Sequence, residues 1–183
     1  MDEGRGDAGQ PNVVLTGFMA TGKSTVGRLV AAGLRYGFVD TDRMIEERHG
    51  SIPEIFASDG EEHFRAIERG IAEELAELSA LVISTGGGLM LDASAGPTLA
   101  ASGRVFCLTA RVETIWKRVG GPRAGERRPM LAGDDPRGRL EALVAERAAR
   151  YAEFEQITTD DRRPSEVAEE IVQLMGGRVT PSG

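Results

Sequence analysis

Short apolar runs alternate along this chain with longer stretches in which apolar positions recur every three or four residues. The short runs, at 13–16, 37–40, 81–85, 105–109 and 156–159, have the length and composition of strands. The longer stretches predict helices over 25–34, 61–78, 137–154 and 165–175. In the clearest of them Phe64, Ile67, Ile71, Leu75 and Leu78 fall on one helical face. Ser165, after Pro164, is placed to cap the last helix. Strands alternating with helices predict an α/β fold, a five-stranded parallel sheet with helices on both faces. Right-handed crossovers then bring all the strand C-terminal ends to one edge, where ligands bind.

The stretch from 119 to 136 breaks this order. It is polar and rich in glycine and proline, and it carries Arg123, Arg127 and Arg128. A long loop of that kind suits an arginine-rich lid closing over phosphates. The remaining pattern is that of one domain over 12–176. Residues 1–11 form a polar tail without the apolar core of a signal peptide, and 177–183 form a second short tail.

Composition narrows the partners. A formal net charge of −7 argues against a nucleic-acid ligand, and no stretch approaches the roughly 18 apolar residues that cross a bilayer. The lone Cys107 sits in a strand-like run, which makes it a core residue and points to a reducing cytoplasm. The basic residues are 20 arginines and two lysines.

One of those lysines closes the octet Gly17-Phe18-Met19-Ala20-Thr21-Gly22-Lys23-Ser24. Two glycines followed by Lys and a hydroxyl residue, between a strand and a helix, make a P-loop. Glycines let the backbone wrap phosphate oxygens with its N–H groups, and the helix N-terminus adds positive potential. Lys23 then reaches the outer phosphates and Ser24 is suited to Mg²⁺. ATP and Mg²⁺ are the expected cofactors. Glycine makes up 24 of 183 residues, so the strand before and the helix after carry the assignment.

The rest of the chain sorts the kinds of P-loop protein. An Asn-Lys-x-Asp guanine reader is impossible, since the one asparagine, Asn12, lies in the N-terminal segment. The strand at 81–85 ends in Gly86-Gly87-Gly88, where a bare backbone approaches a ligand closely. The strand at 37–40 leads into Asp40-Thr41-Asp42. One of these carboxylates suits the Mg²⁺ shell and the other the proton of an attacking hydroxyl, although an N-cap and a surface acid share the same pattern. A small-molecule kinase is the expected class. A regulatory nucleotide-binding protein with a degenerate site is the reading from outside enzymology.

These elements, together with Ser51-Ile52-Pro53-Glu54-Ile55-Phe56, Phe64-Arg65-Ala66-Ile67-Glu68, Arg128-Pro129-Met130-Leu131 and Arg147-Ala148-Ala149-Arg150-Tyr151, resemble the shikimate kinase family over about residues 12–175. The resemblance implies the P-loop kinase fold, a small monomer, and ATP- and Mg²⁺-dependent phosphorylation of the 3-hydroxyl of shikimate in aromatic amino-acid synthesis. Gluconate kinase is the related alternative. It also implies that Gly17, Ala20, Thr21, Gly22, Lys23, Ser24 and Thr25 hold the nucleotide, and that Ser24 and Asp40 serve the metal. Asp42 binds the substrate hydroxyls and acts as base, while Arg65 and Arg147 hold the carboxylate beside Gly87 and Gly88. Arg128 reaches the transferring phosphate, with adjacent Arg127 as its rival. Arg118 and one of Arg162 and Arg163 flank adenine. On spacing alone, Arg65 is equally placed to pair with Glu61 and Glu68, and Arg147 with Glu141 or Glu146. A small hydroxylated anion calls for positive forks and acceptors rather than a greasy pocket. The family carries glycine near Ala20-Thr21, a change expected to cost little if the backbone angles there are ordinary.

Overall fold

Asn12–Thr16 forms β1, and all five of its residues are buried. Val13 and Leu15 enter one apolar cluster and Val14 the other, because alternate strand residues face opposite sides. A strand apolar on both faces belongs in the centre of a sheet covered twice. In the computed structural model, which describes residues 9–127 and 129–177, β1 is the centre. The other strands are β2 (Gly37–Asp40), β3 (Leu81–Ser84), β4 (Gly103–Thr109) and β5 (Glu155–Thr158). Their order is β2-β3-β1-β4-β5, and every pairing is parallel. The expected five-stranded parallel sheet is therefore present, and the turns that follow β1, β2 and β3 emerge side by side.

Helix α1 (Lys23–Leu34) covers one face of the sheet; α2 (Thr41–His49), α3 (Ile52–Ser58), α4 (Gly60–Ala76) and α5 (Ala95–Ser102) cover the other. After α6 (Val112–Val119), α7 (Ala124–Arg127) and α8 (Pro136–Tyr151), α9 (Pro164–Leu174) returns to the α1 face. The helices that periodicity did not single out, α2, α3, α5, α6 and α7, span nine residues or fewer. Two turns give too few repeats for a 3.6-residue period to stand out.

Four expectations change. The stretch 119–136 is not one open loop, because its described part winds into turns at Gly121–Arg123, α7 and Pro129–Leu131. Ala124 and Leu131 are fully buried among Phe18, Ile115, Leu140 and Tyr151, so two apolar side chains anchor an otherwise polar segment. Asn12 is the first residue of β1 rather than a loose neighbour of the tail. Its side chain donates to the Leu78 carbonyl and accepts from the Leu81 N–H, tying β1 to the start of β3. The last helix is capped by Arg163, not Ser165, since Pro164 takes the first helical position, where its missing N–H costs nothing. Of the expected tail, Gln10 is fixed by an N–H from Ala80, while 1–8 and 178–183 lie outside the described residues. Among the described residues no helix is long and apolar enough to cross a membrane.

Candidate active site

The turn after β1 takes its shape from three left-handed residues: Gly17 at φ +127°, Ala20 at +59° and Gly22 at +97°. A Cβ on Gly17 would stand 2.2 Å from the Leu108 carbonyl oxygen, so only glycine fits there. Thr21 is buried and donates to the Phe18 carbonyl, pinning the loop from inside. Lys23 donates to the carbonyls of Gly17 and Phe18 at 2.8 and 3.0 Å, which lays its ammonium along the loop. Gly22 caps α1 without a side-chain bond, leaving the first N–H groups of α1 to face a ligand.

Ala20 corrects an expectation, because its backbone is not ordinary. A left-handed alanine costs about 1–2 kcal/mol. Ala20→Gly removes that strain but restores about 0.4–1 kcal/mol of unfolded-chain freedom, so Tm is expected to hold or to rise by up to about 6 °C. Ala20→Val, β-branched at positive φ, is expected to lower Tm by about 2–6 °C in the same thermal scan. Equal behaviour of the two variants would mean that φ at position 20 is not constrained.

A cavity of about 410 Å³ opens beside this loop. It brings together Ala20, Gly22, Lys23, Ser24 and Thr25 with Asp40, Asp42, Arg65, Gly87, Gly88 and Arg147. Asp40, at the end of β2, caps α2 through the Arg43 N–H and also accepts the Ser24 hydroxyl at 2.5 Å. One carboxylate thus caps the helix and also lines the cavity. Asp42 lies in the first turn of α2, where the helix N-terminus favours an anion.

The three glycines after β3 each let a different side chain come close. A Cβ on Gly86 would meet Asp42 Oδ1 at 2.2 Å; one on Gly87 would touch Arg147 at 3.5 Å; one on Gly88 would meet Arg65 at 2.7 Å. The run of glycine is therefore the surface against which the acid and both arginines rest. The Gly86 N–H donates to Thr41 Oγ1, fixing this turn to the start of α2.

Arg65 does pair along its helix, with Glu68 at 2.6 Å and Glu61 at 3.1 Å, and it still lines the cavity. Glu68 is 2 % exposed. Burial pushes its carboxyl upward, the Arg65 guanidinium pulls it back, and the negative charges of Asp42 and Asp92 add to the rise. At Arg65 burial acts against the cation, but the two carboxylates outweigh it and keep it protonated. Glu68 thus holds Arg65 from behind, a role that its i, i+3 spacing foreshadows only as a surface pair. Arg147 forms neither of the alternative ion pairs, with Glu141 or Glu146. It donates to the Gly87 carbonyl at 3.2 Å and lies over the Phe18 ring.

A second cleft, of about 170 Å³, flanks the phosphate loop and is lined by Thr21, Thr25, Arg118 and Arg162, among others. Arg118 donates to Thr159 Oγ1 and to its carbonyl, both at 2.9 Å. Arg162 pairs with Glu170, whereas Arg163 turns outward to Glu166, so Arg162 is the one that reaches the cleft. Gly17 and Thr21 shape the loop from beneath and do not line the larger cavity. Arg128 lies outside the described residues. Cys107 is buried under the loop; burial pushes its thiol up to about 11, as befits a neutral core side chain.

The sequence reading missed the apolar wall. Ile52, Phe56, Phe64 and Met130 line the larger cavity, and Phe56 and Met130 are 39 and 48 % exposed at its mouth. Large apolar side chains at the mouth of a polar cavity suit a ligand with an apolar face.

Comparison with known proteins agrees with this fold. The family model described as shikimate kinase matches residues 19–176. A shikimate kinase of Thermoanaerobacter pseudethanolicus is 41% identical over 165 residues, covering 88% of this chain and 94% of that one. A shikimate kinase of Acinetobacter baumannii, solved in complex with shikimate, superposes with a TM-score of 0.83 at 36% identity. It covers 91% of this chain and 93% of its own. A gluconokinase from Sinorhizobium meliloti matches at a TM-score of 0.60 and 18% identity over 91% of each chain, a likeness of fold alone. With the P-loop, the acid pair and the two arginines gathered at one sheet edge, the chain belongs to the shikimate kinase family.

Proposed function

We propose that this chain transfers the γ-phosphoryl group of ATP to the 3-hydroxyl of shikimate, giving ADP and shikimate 3-phosphate. The observation that carries the reading is the larger cavity, which unites a phosphate-binding loop, two carboxylates and two arginines. Asp42 takes the hydroxyl proton as its oxygen forms a bond to the γ-phosphorus, and the bond to the β-phosphate oxygen breaks. Lys23 and the N–H groups at the start of α1 meet the outer phosphates, and Arg128 meets the charge in transfer. Arg118 and Arg162 lie in the cleft suited to adenine.

Ser24 and Asp40 fit Mg²⁺: a hydroxyl and a carboxylate at 2.5 Å are hard oxygen donors at a helix N-terminus. Mg²⁺ typically takes one or two protein oxygens and completes its shell with phosphates and water, where it neutralises phosphate charge. Arg65 and Arg147 hold the carboxylate of the substrate, and the apolar wall of Phe56, Phe64 and Met130 faces its carbocyclic ring. That wall disfavours gluconate, an open polyol with no such face. A single-domain monomer over 12–176, working in the cytoplasm, is the setting that the family resemblance suggests.

Arg65→Ala is the direct test of the carboxylate site. Charge-assisted bonds contribute about 1.5–3 kcal/mol each, so KM for shikimate is expected to rise tenfold or more while KM for ATP stays near its wild-type value. Arg65→Lys keeps a cation for the buried Glu68 and separates lost binding from lost folding. An unchanged KM for shikimate in both variants would remove Arg65 from the site.

A further inference from the structure

The carbonyl of Gly87 accepts two hydrogen bonds from α8: Tyr151 Oη at 2.5 Å and Arg147 Nη1 at 3.2 Å. Arg147 and Tyr151 are four residues apart and so share one face of that helix. A carbonyl oxygen has two lone pairs, and both are engaged. The two donors differ in what they can do next. Arg147 lines the substrate cavity, and its guanidinium is shared between this carbonyl and whatever anion the cavity receives. Tyr151 lies beneath, 7 % exposed, packed in one cluster with Phe18 and Cys107. Burial, partly offset by the Arg147 charge and reinforced by Cys107, pushes its phenol up to about 12. It therefore remains a donor across the working range of pH.

We propose that Tyr151 is a positioning residue for the acceptor substrate: its hydroxyl holds the Gly87 carbonyl, keeping the triple-glycine turn in place when Arg147 turns to the substrate carboxylate. The turn matters because Gly86, Gly87 and Gly88 are the backbone against which Asp42, Arg147 and Arg65 rest. Without the hydroxyl, Arg147 alone must serve both the carbonyl and the substrate, and each contact is made at the expense of the other. The C-terminal end of α8 is fixed independently, since Gln156 donates to the Tyr151 carbonyl at 2.6 Å, so the loss of one hydroxyl leaves the helix in place.

The inference rests on the shikimate reading above, and the experiment separates the two. Wild-type protein is first assayed with Mg²⁺, ATP and shikimate; absence of shikimate-dependent ADP release overturns the reading itself and, with it, the role given to Tyr151. With that activity in hand, Tyr151→Phe keeps the ring and removes only the donor. KM for shikimate is expected to rise about threefold to tenfold, the scale of one lost hydrogen bond, with KM for ATP within twofold and kcat within about threefold. Tyr36→Phe, which removes the other tyrosine hydroxyl of the chain, should leave all three constants unchanged. Calorimetric shikimate binding to folded Tyr151→Phe, without nucleotide, should weaken by the same factor. Tyr151→Met, which also lacks the donor, stands in if the Phe variant does not fold, and the same split is expected of it. Unchanged KM for shikimate, or an equal loss for shikimate and ATP, overturns the proposal and leaves Tyr151 a packing residue.

Discussion

Asp42→Asn is expected to lower kcat by about 10²–10⁴, the scale of a lost general base, with little change in KM for ATP. Asn keeps the size and shape of the side chain, and the first turn of α2 keeps its cap from Asp40, so the scaffold is not at stake. What disappears is the anionic acceptor for the hydroxyl proton. The placement of that acceptor is tightly defined, because Gly86 leaves room for Oδ1 where any Cβ would collide with it. Its negative charge is also felt at Glu68, one reason that buried carboxyl is pushed upward. The check is steady-state kinetics at saturating shikimate, together with a thermal scan. A loss of only a few-fold would mean that Asp42 positions the substrate while the phosphate-binding groups supply the catalysis.

Arg128→Ala is expected to cost about 10³ in kcat and to leave both KM values within a few-fold, since its proposed contact forms only as charge moves onto the transferring phosphoryl group. Position 128 lies outside the described residues, and the assignment comes from the Arg-Pro-x-Leu sequence around it. Its described neighbours bear on the idea. Leu131 and Ala124 are fully buried, and Met130 lines the substrate cavity, so the segment is rooted beside the site at both ends. Arg127→Ala is the comparison: if that variant carries the kcat loss and Arg128→Ala does not, the lid arginine is one residue earlier.

The sheet and its ligand edge were legible because the strands are short apolar runs and the P-loop fixes one strand–helix junction unambiguously. Asp40, Asp42, Arg65 and Arg147 line one cavity, and for the two arginines it was the resemblance, not spacing, that pointed there. What pattern could not give was contact across the fold. Whether Arg65 faced its own helix or the cavity was undecidable from spacing, and it does both, through Glu68 behind and Gly88 in front. The apolar wall went unseen because Phe64 falls on the core face of its helix, and Ile52 and Phe56 carry no polar group that would mark a site until the cavity brings the three together. Ala20 in a left-handed conformation and the anchoring of 119–136 by Ala124 and Leu131 are likewise set by tertiary packing, which overrides local propensity.

ADP release from the purified protein, with Mg²⁺ and ATP and with shikimate, gluconate or no acceptor, tests the phosphoryl-transfer reading most directly. The expected result is release that depends on shikimate, with gluconate no better than the acceptor-free background and one phosphate recovered on the 3-hydroxyl per ADP formed. Release stimulated by gluconate alone, or ATP binding with no acceptor-dependent release, would contradict it.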